Sequence, residues 1–233
     1  MRVGIVLPWR SSKTRTAGFE ASLKRHELLF PDANIYKSDS VGDRFNPSEA
    51  RNRGCLQAIA DGCEVLVVLD ADTLFMQSSI EEAIKIATTK NIVCYSYTLA
   101  TELGLEDTKR YLDGTFNPFS LEGLGIGVPT SDHVGSGWVL TPETFIKMNG
   151  WDENFLGWGW EDNAFQEAHL KLFGTPMKRA SGVCFRLCHQ ERDMQNLDDN
   201  RSRFFRYKET TSEDIKDLIA TNLVHLAKGK NEN

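Results

Sequence analysis

The 233-residue chain has room for one sizeable core, but not for two ordinary domains and a linker. Its 40% hydrophobic and 26% charged composition is that of a soluble globular protein, and a net charge of −6 argues against a chain devoted to nucleic acid or anionic membrane. No apolar run approaches the roughly 20 residues of a membrane span. Met1 to Leu7 reads as strand-like sequence rather than as a signal peptide, and an odd set of five cysteines in mostly apolar surroundings fits an expected reduced, cytoplasmic setting.

Arg2 to Trp9 predicts a short buried strand closed by Pro8. The polar turn that follows, Arg10 to Lys13, sits at a strand's carboxyl end, where open α/β sheets bind ligands. Phe19, Leu23, His26, Leu28, Leu29 and Phe30 recur at helical spacing up to Pro31, and His26 reads as part of that helix alone. Asn34 to Ser38 predicts a second strand. Phe45-Asn46-Pro47 then leads into a helix running to about Gly62, with Ser48 as its expected N-cap and Ala50, Leu56, Ile59 and Ala60 as its apolar face. Arg51 and Arg53 on this helix read either as solvated charge or as contacts to a diphosphate or base.

The run Val65 to Leu69 is what a central parallel strand covered on both faces looks like. Asp70-Ala71-Asp72 ends it. These acids either cap the next turn or serve a hard divalent cation, one as ligand and the other orienting a ribose or a metal-bound water. Their place behind a buried strand favours the cation. Ser79 to Thr89 predicts a helix and Ile92 to Tyr97 a strand, and this alternation implies a mainly parallel sheet with helices on both faces.

From Thr101 to Asp132 no period is sustained, which predicts a long excursion over the active face with one short helix near Asp107 to Leu112. His133 to Leu140 predicts a strand in which Gly135 and Gly137 mark a bulge or let backbone approach a sugar. A helix starts at Pro142.

Gly150 to Phe165 is the stretch around which the rest is organised. Its glycines and tryptophans precede Glu161 and Asp162, which open a helix predicted to end at Phe173. Two acids in a first helical turn are ordinary caps. A run of Gly157-Trp158-Gly159-Trp160 before them points instead to a pocket wall, since indole faces suit sugar rings. Val183 to His189 predicts a strand, on which Cys184 and Cys188 make no zinc pair. Gln190 to Lys208 reads as a solvated tail or a lid, and Ile215 to Leu226 as an amphipathic helix.

The order Pro8-Trp9-Arg10, Phe45-Asn46 to Gly54, Asp70-Ala71-Asp72, Gly157 to Asp162 and then His189 resembles the GT-A glycosyltransferases. It is most similar to the inverting β-1,4-galactosyltransferase and chondroitin-polymerase-like families, and more distantly to the polypeptide N-acetylgalactosaminyltransferases. The likeness runs from residue 2 to about 207. It implies a single GT-A, Rossmann-like α/β domain over 1–233, with a nucleotide-binding half (1–100), an acceptor and catalytic half (101–207) and a C-terminal helix and tail (208–233).

The resemblance further implies Mn2+ or Mg2+ held by Asp72 and His189, with Asp70 also at the metal site and near the ribose, and a UDP-sugar donor on Pro8, Trp9, Arg10, Phe45, Asn46, Arg51, Asn52, Asp70, Ala71 and Asp72. Gly137, Trp138, Trp158, Gly159, Trp160 and Glu161 are expected around the donor and acceptor sugars. Asp162 matches the general base, with Glu161 beside it. The acceptor is expected to be a glycan or another hydroxyl; a modified DNA base is the less favoured choice. Arg186 stands where galactosyltransferases place a methionine ligand, and Pro47 where they place a basic residue. A nucleotidyltransferase acting on a sugar phosphate would open with a glycine-rich, lysine-bearing loop, and a non-catalytic carbohydrate-binding protein gives no reason for Asp70, Asp72 and His189 together.

Overall fold

The computed structural model describes residues 1–120, 132–189 and 194–223. Its centre is a sheet built on β1 (Val3–Pro8), β2 (Asn34–Ser38) and β3 (Val65–Leu69), all mutually parallel. All five residues of β3 are fully buried, as a strand covered on both faces requires. The sheet is extended by β7 (Gly137–Leu140), which runs antiparallel to β3, and then by two-residue strands β5 (Cys94–Tyr95) and β8 (Lys178–Arg179), in the order β2-β1-β3-β7-β5-β8.

Helices cover both faces. On one, α2 (Pro47–Ala60) lies so close to β1 that a side chain at Gly54 would meet Val6 Cγ1 at 2.4 Å, and α6 (Glu161–Phe173) reaches the same face where Phe165 meets Trp138. On the other, Phe75 packs under Gly137, and α1 (Thr16–Leu29) packs against it through His26. The remaining helices are α3 (Gln77–Lys90), α4 (Leu105–Leu112), α5 (Pro142–Met148), α7 (Leu197–Glu209) and α8 (Ile215–Ile219).

A second, three-stranded sheet departs from the sequence expectation. β4 (Thr73–Phe75) pairs antiparallel with β9 (Val183–Arg186), and β9 pairs parallel with β6 (Leu99–Glu102). The strand expected over 92–97 thus shortens to β5, and the excursion expected from Thr101 begins inside β6. Its short helix starts earlier than expected, at Leu105; residues 121–131 lie outside the described residues.

Three other expectations change. The N-cap of α2 is Asn46, whose side chain accepts the Glu49 N–H at 3.1 Å, rather than Ser48. The segment read as a tail or lid carries α7, because Leu197, Phe204 and Tyr207 share one face amid the charges and Tyr207 is buried. The last helix spans only Ile215–Ile219; Val224 and Leu226 lie outside the described residues. All five cysteines are free thiols, and among the described residues no helix is long and apolar enough to cross a membrane.

Candidate active site

A cleft of about 730 Å³ opens at the carboxyl ends of β1 and β3, a size suited to a nucleotide sugar. Pro8, Trp9, Arg10, Phe45 and Pro47 line one part of it, Asp70, Ala71 and Asp72 the floor, and Trp158 to Asp162 the opposite wall. Trp9 lies flat on Phe19, with ring centroids 4.2 Å apart. Arg10 is bound to Asp39 and to the Ser40 and Asp43 carbonyls, so it shapes the loop that carries Phe45.

The small sheet brings Asp72 and His189 together. Thr73 pairs with Arg186, and the ladder continues as the Leu187 N–H donates to the Asp72 carbonyl, which returns the chain to the start of β4. His189 Nε2 then lies 3.3 Å from Asp72 Oδ2. A carboxylate oxygen and an imidazole nitrogen make a donor pair that would suit Mn2+ or Mg2+. Arg15 Nη2, at 2.6 Å from the same Asp72 oxygen, stands where that positive charge would be.

Asp70, expected at the metal site, is paired elsewhere in this structure. Its carboxylate takes Arg51 Nη2 at 2.9 Å and the Ser136 N–H at 3.2 Å, and among the described residues no three ligating side chains cluster. Arg186 cannot take the place of a methionine ligand, because a guanidinium has no lone pair to offer a cation; it is paired with Glu102 at 2.8 Å.

Asp162 starts α6 but does not cap it, and Trp160 at the N-cap position makes no side-chain bond to the helix. Instead Asp162 Oδ1 accepts Arg51 Nη1 at 3.0 Å. Burial pushes the Asp162 carboxyl well above its ordinary value; Arg51 pulls it down, while Glu161 and Asp70 push it further up. Glu161 is raised by burial in the same way, and its Oε2 accepts the Gly159 N–H at 3.1 Å, fixing the loop before the helix.

Four residues expected around the ligand serve the core instead. The Asn46 amide donates to the Glu153 carbonyl, and Asn52 donates to the Trp151 carbonyl and to Glu153 Oε1 while accepting the Trp151 N–H. Together they tie α2 to the start of the Gly-Trp loop. Trp138 is fully buried beside Trp151, and a side chain at Gly137 would strike Ser96 and Phe75, so neither reaches a sugar. Trp158 is 43% exposed, whereas Trp160 is stacked on Phe204 at 5.2 Å and has one face covered.

Several cleft residues were missed by sequence reasoning. Arg15 carried a signal: a basic residue at the N-cap of α1, whose first turn holds no acid, is opposed by the helix dipole and needs a nearby anion. His133 and Ser136 line the cleft without any pattern to mark them; burial, with Arg186 nearby, lowers the His133 imidazole to about 4, so it is neutral at pH 7.

A family described as the N-terminal domain of galactosyltransferase matches residues 120–192. No curated protein matches the chain. The catalytic domain of Drosophila β1,4-galactosyltransferase 7 in complex with xylobiose superposes with a TM-score of 0.62 at 16% identity, covering 91% of this chain and 83% of that one. The chain has the GT-A fold. A mutant of the same Drosophila enzyme, in complex with manganese, UDP-Gal and xylobiose, superposes with a TM-score of 0.53 at 16% identity, over 77% of this chain and 64% of that one. The segment of this GT-A chain that is similar to the galactosyltransferase family, 120–192, contains both Asp162 and His189.

Proposed function

We propose that this chain is a metal-dependent glycosyltransferase that moves a sugar from a UDP-sugar to an acceptor hydroxyl with inversion, Asp162 acting as the general base. The observation that carries the reading is one cleft with two unlike carboxylates: Asp72 beside His189, and Asp162 buried with its pKa raised in the facing wall. The solved Drosophila relative bound to manganese, UDP-Gal and xylobiose supports that donor class, and a glycan as acceptor.

Asp72 and His189 would hold the cation, which when bound neutralises charge building on the departing diphosphate. Pro8, Trp9 and Phe45 would enclose the uracil and Trp158 would close over the sugar. Asp162 would take the acceptor hydroxyl's proton as that oxygen attacks the anomeric carbon. The bond from that carbon to the diphosphate oxygen breaks as the new one forms, its electron pair leaving with UDP. A positioned base contributes about 10²–10⁴-fold.

The test is UDP release from UDP-galactose, UDP-glucose and their N-acetyl forms with Mn2+, with and without EDTA. Asp162→Asn should lose at least about 100-fold in transfer while binding UDP as the wild type does. Full transfer by that variant, or turnover that EDTA leaves untouched, would refute the reading. The anomeric configuration of the product decides inversion.

A further inference from the structure

Arg51 is only 3% exposed, on a flank of α2 beside its apolar face. Its guanidinium lies 4.7 Å from the Trp138 ring centroid and 5.8 Å from that of Trp151. Nη1 donates to Asp162 Oδ1 at 3.0 Å, Nη2 donates to Asp70 Oδ1 at 2.9 Å, and Glu161 Oε1 is 3.7 Å away. Asp70 follows β3 and Asp162 lies in the first turn of α6, so one planar fork joins the two halves of the cleft. Such a fork fixes direction as well as charge.

We infer that Arg51 is a positioning residue for transfer: by occupying Oδ1 of Asp162 and anchoring to Asp70, it aims Oδ2, the oxygen over Gly135, at the acceptor hydroxyl. The inference rests on the proposed role of Asp162 as base. It departs from the diphosphate contact expected of Arg51, because turning this group onto a ligand would leave three carboxylates without their shared cation. Losing the guanidinium would also leave buried carboxylates unpaired and cost stability, so kcat measured on folded protein, with UDP affinity beside it, is what separates positioning from a purely structural role.

The experiment compares Arg51→Met and Arg51→Lys with wild type, measuring kcat for transfer, UDP affinity by calorimetry, and the crystal structure of each variant. Arg51→Met should lose about 10²-fold or more in kcat with UDP affinity within about threefold, and Arg51→Lys should recover about tenfold of that loss. Unchanged kcat, or a loss carried by weaker UDP binding, overturns the inference. Should Arg51→Met fail to fold, Arg51→Lys decides alone: a point charge cannot hold two carboxylates in a fork, so its kcat must fall below wild type with UDP affinity kept. The crystal structures do not depend on turnover. An Asp162 carboxylate that has left its place over Gly135 supports the inference, and one that has not moved overturns it, even if wild type releases no UDP and the proposed activity fails.

Discussion

Gly135 and Asp162 are built against each other: a Cβ at position 135 would lie 2.6 Å from Asp162 Oδ2, and Gly135 has a φ of +110° that L side chains rarely adopt. The missing side chain is therefore the space in which the carboxylate sits, and the backbone there is one that glycine tolerates. Gly135→Ala should destabilise the fold by about 1–3 kcal/mol and displace Asp162. Transfer should fall at least about tenfold, with UDP affinity kept. Calorimetric unfolding and steady-state kinetics check both, and an alanine variant with wild-type kcat would show that the contact is incidental.

How the site could be read in advance depended on what each signal encoded. Asp70-Ala71-Asp72 stood out because five buried aliphatics lead into it, and Glu161-Asp162 because of the glycines and indoles before them. Trp138 and Gly137 misled for a plain reason: period two assigns strand residues to two faces but does not say which face meets the cleft. Arg51 could not be placed because nothing local shows that Gly54 lets α2 settle onto β1, which buries the flank carrying Arg51 as well as the apolar face. The small sheet escaped because β4 and β6, the partners of the one strand that was legible, have three and four residues, too few for alternation to register. Yet that sheet is what joins Asp72 to His189.

Arg15 holds the oxygen of Asp72 that faces His189, so a divalent cation has to displace a guanidinium to reach it. Removing that competitor should tighten metal binding. Arg15→Met is expected to bind Mn2+ about tenfold more tightly than wild type without nucleotide, a difference of about 1.4 kcal/mol, read from the free Mn2+ signal in electron paramagnetic resonance. Equal affinity in the two proteins would mean that Arg15 leaves Asp72 at no cost.

Trp158 is exposed at the cleft wall while Trp160 is stacked on Phe204 of α7, so the two tryptophans should respond differently to removal. Trp158→Ala should raise the KM for sugar nucleotide or acceptor and leave the melting temperature within about 2 °C of wild type, as exposed positions do. Trp160→Ala should lower the melting temperature by loosening α7. Its positive φ of 71° works in the opposite direction, so Trp160→Gly should be the more stable of the two variants at this position. Identical effects of Trp158→Ala and Trp160→Ala on substrate KM, with no change in melting, would contradict the division.

The carboxylates at 161 and 162 share one buried guanidinium with Asp70, three negative groups around one positive. Burial raises both Glu161 and Asp162 above their ordinary values, against the pull of Arg51. A carboxyl whose folded pKa lies above its unfolded pKa favours folding below the unfolded value, and that advantage is lost as pH rises through the folded value. Once ionised, Asp162 therefore weighs against the fold. Asp162→Asn, the variant expected to abolish transfer, should melt at a higher temperature than wild type at pH 7 to 8. The gain should vanish below about pH 4, where carboxyls of ordinary pKa are also taking up protons and wild-type Asp162 is already neutral. Unfolding scans of both proteins across that range measure it. A variant less stable than wild type at pH 8 would mean that the Asp162–Arg51 pair contributes more to folding than the crowding of charge subtracts, and that the raised carboxyl is not a strain held for catalysis.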